Sequence, residues 1–311
     1  MNSVLSIKGL QKRYRRVTAV KSLDLEIPRG SVYGILGPNG SGKTTTLGMI
    51  LEVIRPSAGS FQWQLRNGKR AEARRKMGVL LETPNFYPYL SGLDNLKITA
   101  AIKGAQNVNY HSILERVNLA ERAKDRFGSY SLGMKQRLAI AGAMVNDPEV
   151  MVLDEPTNGL DPEGIAEVRA LIKDIAQSGI TVILASHILA EVEKLCDHVA
   201  VLKKGELIYQ GLARELVRRH FQLHLAGAQE PELRNALKTL PGYIALERAE
   251  AEAVTADGSP LFYAEFSEKI DPAEVNRQLA QQGIILSHLS IHQKSLEDDF
   301  LELIKNEEHA A

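Results

Sequence analysis

The residues Gly37-Pro38-Asn39-Gly40-Ser41-Gly42-Lys43-Thr44 satisfy the pattern G-x-x-x-x-G-K-[ST], a phosphate-binding P-loop. Glycines let the backbone turn successive N–H groups toward phosphate oxygens. The start of a following helix adds positive potential. Lys43 would reach the β- and γ-phosphates, and the Thr44 hydroxyl would hold Mg²⁺. Thr45 continues the nucleotide-contacting stretch. A second motif ends 110 residues beyond Thr44, where the apolar run Val150-Met151-Val152-Leu153 gives way to Asp154-Glu155. Asp154 would hold Mg²⁺ through water, and Glu155 would accept a proton from an attacking water. These residue types imply binding and hydrolysis of a nucleoside triphosphate.

Such a loop needs a buried strand before it and a helix after it. Val32 to Leu36 is apolar throughout, and Leu47, Ile50, Leu51 and Ile54 recur at helical spacing. Further apolar runs at 79–81, 150–153 and 180–185 read as buried parallel strands. They alternate with helix-period stretches such as 164–177, which predicts an α/β core with a parallel sheet covered on both faces. Leu23, Leu25 and Ile27 instead alternate with Asp24 and Glu26, and Phe61 to Leu65 repeats the pattern. These predict half-exposed antiparallel strands, with Trp63 as a packing residue. Residues 86–145 read as a helical subdomain.

The chain has 311 residues, enough for about two domains. Its apolar share of 44% and charged share of 24% exclude a disordered or collagenous class. The net charge of zero hides an asymmetry: 31 basic against 22 acidic residues in 1–220, then 7 against 16 in 221–311. The basic part suits a polyanionic ligand or an anionic surface nearby, and the step predicts a domain boundary near 220. The tail reads strand 221–226, helix 231–240, strand 243–254, a turn at Asp257-Gly258, strand 261–266, helix 271–282, strand 284–292 and helix 295–306. That order, βαββαβ plus a helix, is ferredoxin-like. One cysteine excludes a disulfide framework and suits a reducing compartment. Cys196 and His198 lack the further ligands of a zinc site, so a buried thiol is expected. No apolar run reaches the ~18 residues of a membrane span, and the first residues lack a signal-peptide core. A cytoplasmic protein is expected.

With these motifs in this order, residues 3–220 resemble the ATP-binding cassette family, the motor subunits of ABC transporters. Tyr130-Ser131-Leu132-Gly133-Met134-Lys135-Gln136-Arg137 is similar to the family signature, although Tyr130, Leu132 and Met134 replace the commoner leucine, glycine and glutamine. Ser131 itself reads as a helix N-cap. The resemblance implies that Ser131 and Gly133 face the γ-phosphate bound by a second copy of the chain. Gly159-Leu160-Asp161 resembles the loop that contacts that copy, and His187 the switch histidine at the γ-phosphate. It places Lys43, Glu155 and His187 in the catalytic set. Tyr14 stands where an aromatic stacks on adenine. Glu82 replaces the usual glutamine near Mg²⁺, and its segment with the signature resembles the bacitracin-export and lantibiotic-immunity branch.

The resemblance implies an ATP-hydrolysing subunit that closes as a homodimer around two ATP molecules with Mg²⁺. It would lie on the inner face of the cell membrane and drive a separate transmembrane permease for antibiotic, peptide or drug export. The Phe86-Tyr87-Pro88-Tyr89 stretch would either meet the permease or pack in the core of the helical subdomain, and the tail would be an accessory or regulatory domain. The alternative is a non-transport cassette ATPase acting on nucleic acid or ribosomes. A chromosome or repair ATPase would insert a long coiled coil between loop and signature, yet only 86 residues separate Thr44 from Ser131. A translation-associated member would carry two P-loops, and this chain has one. No nucleic-acid partner is expected. A regulator that does not hydrolyse is disfavoured by Glu155 and His187.

Overall fold

The computed structural model describes residues 3–65, 74–81, 84–216, 221–249, 259–267 and 270–293. The chain divides into two compact units, Met1–Leu216 and Val217–Ala311.

In the first unit, β1 (Ser3–Tyr14) and β2 (Val17–Pro28) form a hairpin turned at Arg15, whose φ is 45°. Alternation decides their packing: Leu23, Leu25 and Ile27 are buried while Asp24 and Glu26 face outward. β3 (Val32–Leu36) is buried along its whole length. α1 follows at Lys43–Ile50 and then β4 at Ala58–Trp63, which pairs with β1 in a three-stranded antiparallel sheet, order β2-β1-β4. The Trp63 indole packs on the core and donates to the Ile50 carbonyl at 2.8 Å.

α1 stops one turn short of the apolar spacing. The Ile54 N–H turns back to the Gly48 carbonyl at 2.9 Å, and its side chain lies over Gly48, where a Cβ would be 2.7 Å away. Ile54 therefore packs against the helix as a return loop, past a left-handed Glu52 at φ 61°.

β5 (Met77–Leu80) leads to the helical region: α2 (Gly92–Lys103), α3 (Tyr110–Arg116) and α4 (Leu132–Met144). Then come β6 (Val150–Asp154), α5 (Pro162–Gln177), β7 (Thr181–Ser186), α6 (Leu189–Leu195), β8 (His198–Lys203) and β9 (Glu206–Leu212). The main sheet has the order β5-β6-β7-β3-β8-β9, parallel except for the antiparallel pairing of β9 with β8. Helices face a sheet whose central strands are apolar on both sides, the expected α/β arrangement.

The second unit contains β10 (Phe221–Ala226), α7 (Glu230–Leu237), β11 (Tyr243–Arg248), β12 (Phe262–Phe266), α8 (Pro272–Gln281) and β13 (His288–Gln293). Its antiparallel sheet has the order β11-β12-β10-β13, so β12 lies between β10 and β11, the split βαβ of a ferredoxin-like fold. Leu223, Leu225, Phe262 and Phe266 meet Leu233, Leu237, Val275 and Leu279 in one apolar core. β13 begins four residues later than its apolar pattern suggests. Gly283 is left-handed at φ 79° and the Ile284 N–H donates to Leu279 at 2.9 Å, so these residues terminate α8. The expected strand residues 250–254, the turn at 257–258 and the helix 295–306 lie outside the described residues.

Candidate active site

Three neighbouring parallel strands bring the sequence motifs to one edge. In register, Leu36 of β3 lies beside Ser186 of β7, and Asp154 of β6 beside Ala185. The glycine loop, Glu155 and His187 are the next residues beyond those ends. The carboxyl edge of such a sheet is where α/β folds place ligand-binding loops.

The loop's glycines are required by geometry. A Cβ on Gly37 would collide with the Leu202 carbonyl oxygen and the Ser41 hydroxyl, and one on Gly42 would lie 2.6 Å from the Ala19 carbonyl oxygen. Gly42 is left-handed at φ 105° and Gly40 at φ 80°, with open space where a Gly40 Cβ would point. Pro38, Asn39 and Gly40 are exposed, as is Thr44 in the first turn of α1, while Thr45 is half-buried. Lys43 is buried. Its Nζ donates to the carbonyls of Gly37 at 2.7 Å and Pro38 at 3.3 Å, and lies 3.5 Å from Glu155 Oε1. The Ser41 hydroxyl is buried and has no hydrogen-bond partner among the described residues. An acceptor such as a phosphate oxygen fits that orphaned donor.

Asp154 is buried at the last position of β6. Glu155 leaves the strand with φ 49°, a left-handed conformation that a side chain of this kind rarely adopts. Its N–H still donates to the Ala185 carbonyl at 3.0 Å, so the strain coincides with the end of the β6–β7 ladder. The carboxylate is shared: Lys43 stands at Oε1, and His187 Nδ1 is 2.8 Å from Oε2. The His187 backbone N–H approaches the same oxygen at 3.4 Å. The Ser186 hydroxyl accepts from the Ile188 N–H at 3.0 Å, which turns the chain sharply after β7.

Ser131 and Gly133 are elsewhere. Ser131 caps α4 by accepting from the Met134 N–H at 3.2 Å. Both residues line a cleft of about 360 Å³ with Gly159, Leu160 and Asp161. Asp161 caps α5 through the Gly164 N–H at 3.0 Å, with Pro162 following it. Tyr14 ends β1 and is 45% exposed. Glu82 lies outside the described residues. Cys196 is buried against Gly34, and burial pushes its thiol well above the usual range.

A family model described as "ABC transporter" matches residues 20–158. The bacitracin transport ATP-binding protein BcrA of Enterococcus faecalis is 34% identical over 308 residues, 98% of this chain and 97% of that protein. The chain belongs to the ATP-binding subunits of ABC transporters. The lantibiotic transport ATP-binding protein SrtF of Streptococcus pyogenes is 38% identical over 207 residues, 67% of this chain and 90% of its own. Among solved cassettes, cbiO1 from Clostridium perfringens, part of the cbiONQ complex, has a TM-score of 0.62 at 29% identity. It covers 70% of this chain and 91% of its own. The dimeric cassette MJ0796 bound to ADP and Pi has a TM-score of 0.59 at 26% identity, with coverage of 68% and 99%. This subunit is a nucleotide-binding ATPase.

Two residues of the ABC subunit escape sequence reading. Tyr130, a departure from the family signature, is buried and donates its hydroxyl to the Arg122 carbonyl at 2.6 Å. Gly92 leaves room for that hydroxyl. Asn95 is buried in α2; its amide accepts from the Tyr87 N–H at 2.8 Å and donates to the carbonyls of Tyr87 and Ser91 at 3.1 and 3.0 Å. It thereby fixes the loop on which Tyr87 and Tyr89 stand 48% and 67% exposed. The nearest local signal is the cap: Ser91 accepts from the Asp94 N–H at 3.0 Å, and its hydroxyl together with Lys97 holds the Asp94 carboxyl below the usual range.

Proposed function

We propose that this chain is the motor of an exporter and hydrolyses MgATP as one of two identical copies. The observation that carries the reading is the double contact of Glu155, with Lys43 on one carboxylate oxygen and His187 on the other. In this reading Glu155 accepts a proton from water attacking the γ-phosphate. His187 orients that carboxylate. Lys43 leaves its loop carbonyls for the β- and γ-phosphate oxygens, and the N–H groups from Gly37 to Thr45 cradle the remaining charge. Tyr14 stacks on adenine, and Ser131 and Gly133 reach the γ-phosphate held by the second copy through the helix start they form.

The Thr44 hydroxyl and the Asp154 carboxylate are hard oxygen donors, a set that suits Mg²⁺; Glu82 is proposed as a third. When bound with the nucleotide, Mg²⁺ supplies neutralisation of the phosphate charge. Among the described residues no helix is long and apolar enough to cross a membrane. The cargo path therefore belongs to a separate permease, met through Tyr87 and Tyr89 at the inner face of the cell membrane. Similarity to BcrA and SrtF favours a peptide-antibiotic cargo. The second unit is proposed as an accessory domain that regulates the motor or joins the two copies.

Affinity purification from detergent-solubilised membranes tests the assignment. A polytopic membrane protein is expected with the native chain, and less of it with Tyr87→Ala/Tyr89→Ala. Recovery from the soluble fraction alone, with no membrane partner, would overturn the exporter reading.

A further inference from the structure

Lys12 and Tyr14 are two residues apart on β1 and so share one face of the strand. The Lys12 ammonium lies 4.8 Å from the Tyr14 ring centroid, and the same Nζ donates to the Arg55 carbonyl at 2.7 Å. One face of the ring is thus covered by a cation that is itself tied to backbone. Tyr14 as a whole is still 45% exposed.

The hairpin that carries this pair adjoins the glycine loop. A Cβ on Gly42 would lie 2.6 Å from the Ala19 carbonyl oxygen and 3.2 Å from Val20 Cγ2. Across the hairpin, Val20 pairs with Lys12 and Val17 with Tyr14. Val17 and Val20 are three strand residues apart, roughly 10 Å. Tyr14 therefore stands within reach of a nucleotide whose phosphates rest on the loop.

We propose that Lys12 is a positioning residue for base recognition: it holds one face of Tyr14 and so presents the other to the purine. The proposal rests on the reading of Tyr14 as the adenine-stacking residue. An exposed tyrosine at a hairpin end samples several rotamers, and each must be given up when a base stacks on it. The cation–π contact, fixed by the Arg55 carbonyl, removes part of that cost beforehand. Lys12 is half-buried, which suits a side chain whose task is to hold a neighbour.

Calorimetric titration of the full chain with ATP and with inorganic tripolyphosphate separates base recognition from phosphate binding. Lys12→Met should weaken ATP binding about two- to five-fold, as expected for an exposed cation–π contact, and leave tripolyphosphate binding unchanged. Lys12→Arg, which keeps a cation over the ring, should restore the ATP affinity. In a Tyr14→Ala background, Lys12→Met should have no further effect on ATP. Equal weakening toward ATP and tripolyphosphate would overturn the proposal, because the charge would then act on the phosphates. Unchanged ATP affinity in Lys12→Met, with Tyr14→Ala impaired, would overturn it and leave the stacking role of Tyr14 standing. If Tyr14→Ala itself binds ATP normally, the stacking reading fails and the proposal with it.

Discussion

His187 Nδ1 lies 2.8 Å from Glu155 Oε2, joining the residue after β7 to the residue after β6. The two strands are adjacent and parallel, so the contact is set by the sheet rather than by a flexible loop. It fixes the direction of a carboxylate whose backbone is already strained.

Glu155→Gln should lower ATP turnover by about 10² to 10⁴, the usual cost of losing a general base. Nucleotide binding should persist, because the glycine loop and Lys43, which take the phosphates, are unchanged. Gel filtration with ATP should then show a stable dimer. Rapid hydrolysis by this variant would remove Glu155 from the proton-accepting role.

Gly42→Ala should both destabilise the fold and abolish ADP binding. The new methyl meets the Ala19 carbonyl at a φ of 105°, and such strain costs on the order of 1–3 kcal/mol. Gly40→Ala meets no neighbour, so its loss of stability should be smaller. Thermal melts of both variants, with and without ADP, measure the difference.

Lys103 ends α2 beneath the Gly142 and Ala143 carbonyls, at 3.3 and 3.4 Å, and burial lowers its pKa from 10.5 to about 8. The unfolded chain holds that proton more tightly, so this group makes stability rise with pH from about 8 to 10.5. Below that window the ammonium is charged in both states and its burial costs on the order of 3 kcal/mol. Lys103→Met should therefore melt higher at pH 7, with its advantage shrinking toward pH 10. Taking the difference from the native chain cancels Tyr33 and Cys196, whose raised pKa values act in the opposite direction. A constant difference across the pH range would refute the assignment.

Asn95→Leu should destabilise the protein by about 1–3 kcal/mol, because it leaves the Tyr87 N–H without its acceptor, while the Tyr87 and Ser91 carbonyls keep the backbone N–H groups of Leu90 and Asn95. Denaturant unfolding gives the size. Recovery of a membrane partner should fall as well, while ADP affinity stays as in the native chain. A normal partner yield would separate this loop from docking.

The glycine loop, Asp154, Glu155 and His187 are legible in sequence because each stands at the end of an apolar strand, where local composition marks the boundary. The antiparallel strands are legible from their alternation, as at Leu23, Leu25 and Ile27 against Asp24 and Glu26, and so is the βαββαβ order of the second unit's described residues. β9 is harder to see: it is half-exposed along most of its length and does not alternate. The ending of α1 is not legible, because Ile54 keeps helical spacing while packing as a return loop. Tyr130 and Asn95 act on backbone groups, which have no residue type to recognise, and Gly92 is useful to Tyr130 only in three dimensions.

The neighbours of β3 have a consequence for synthesis. Val32 pairs with Val182, and Gly34 with Leu184 on one side and Val199 on the other. The glycine loop leaves the ribosome early, but the strand that anchors it has both edges open until Thr181–Ser186 has been translated, and one edge open until His198–Lys203 follows. A nascent chain thus carries an unpaired apolar segment, Val32–Leu36, through most of elongation, an obvious client for a chaperone. Nucleotide cannot steer the first stages of folding, and products released before β8 should not sequester cellular ATP.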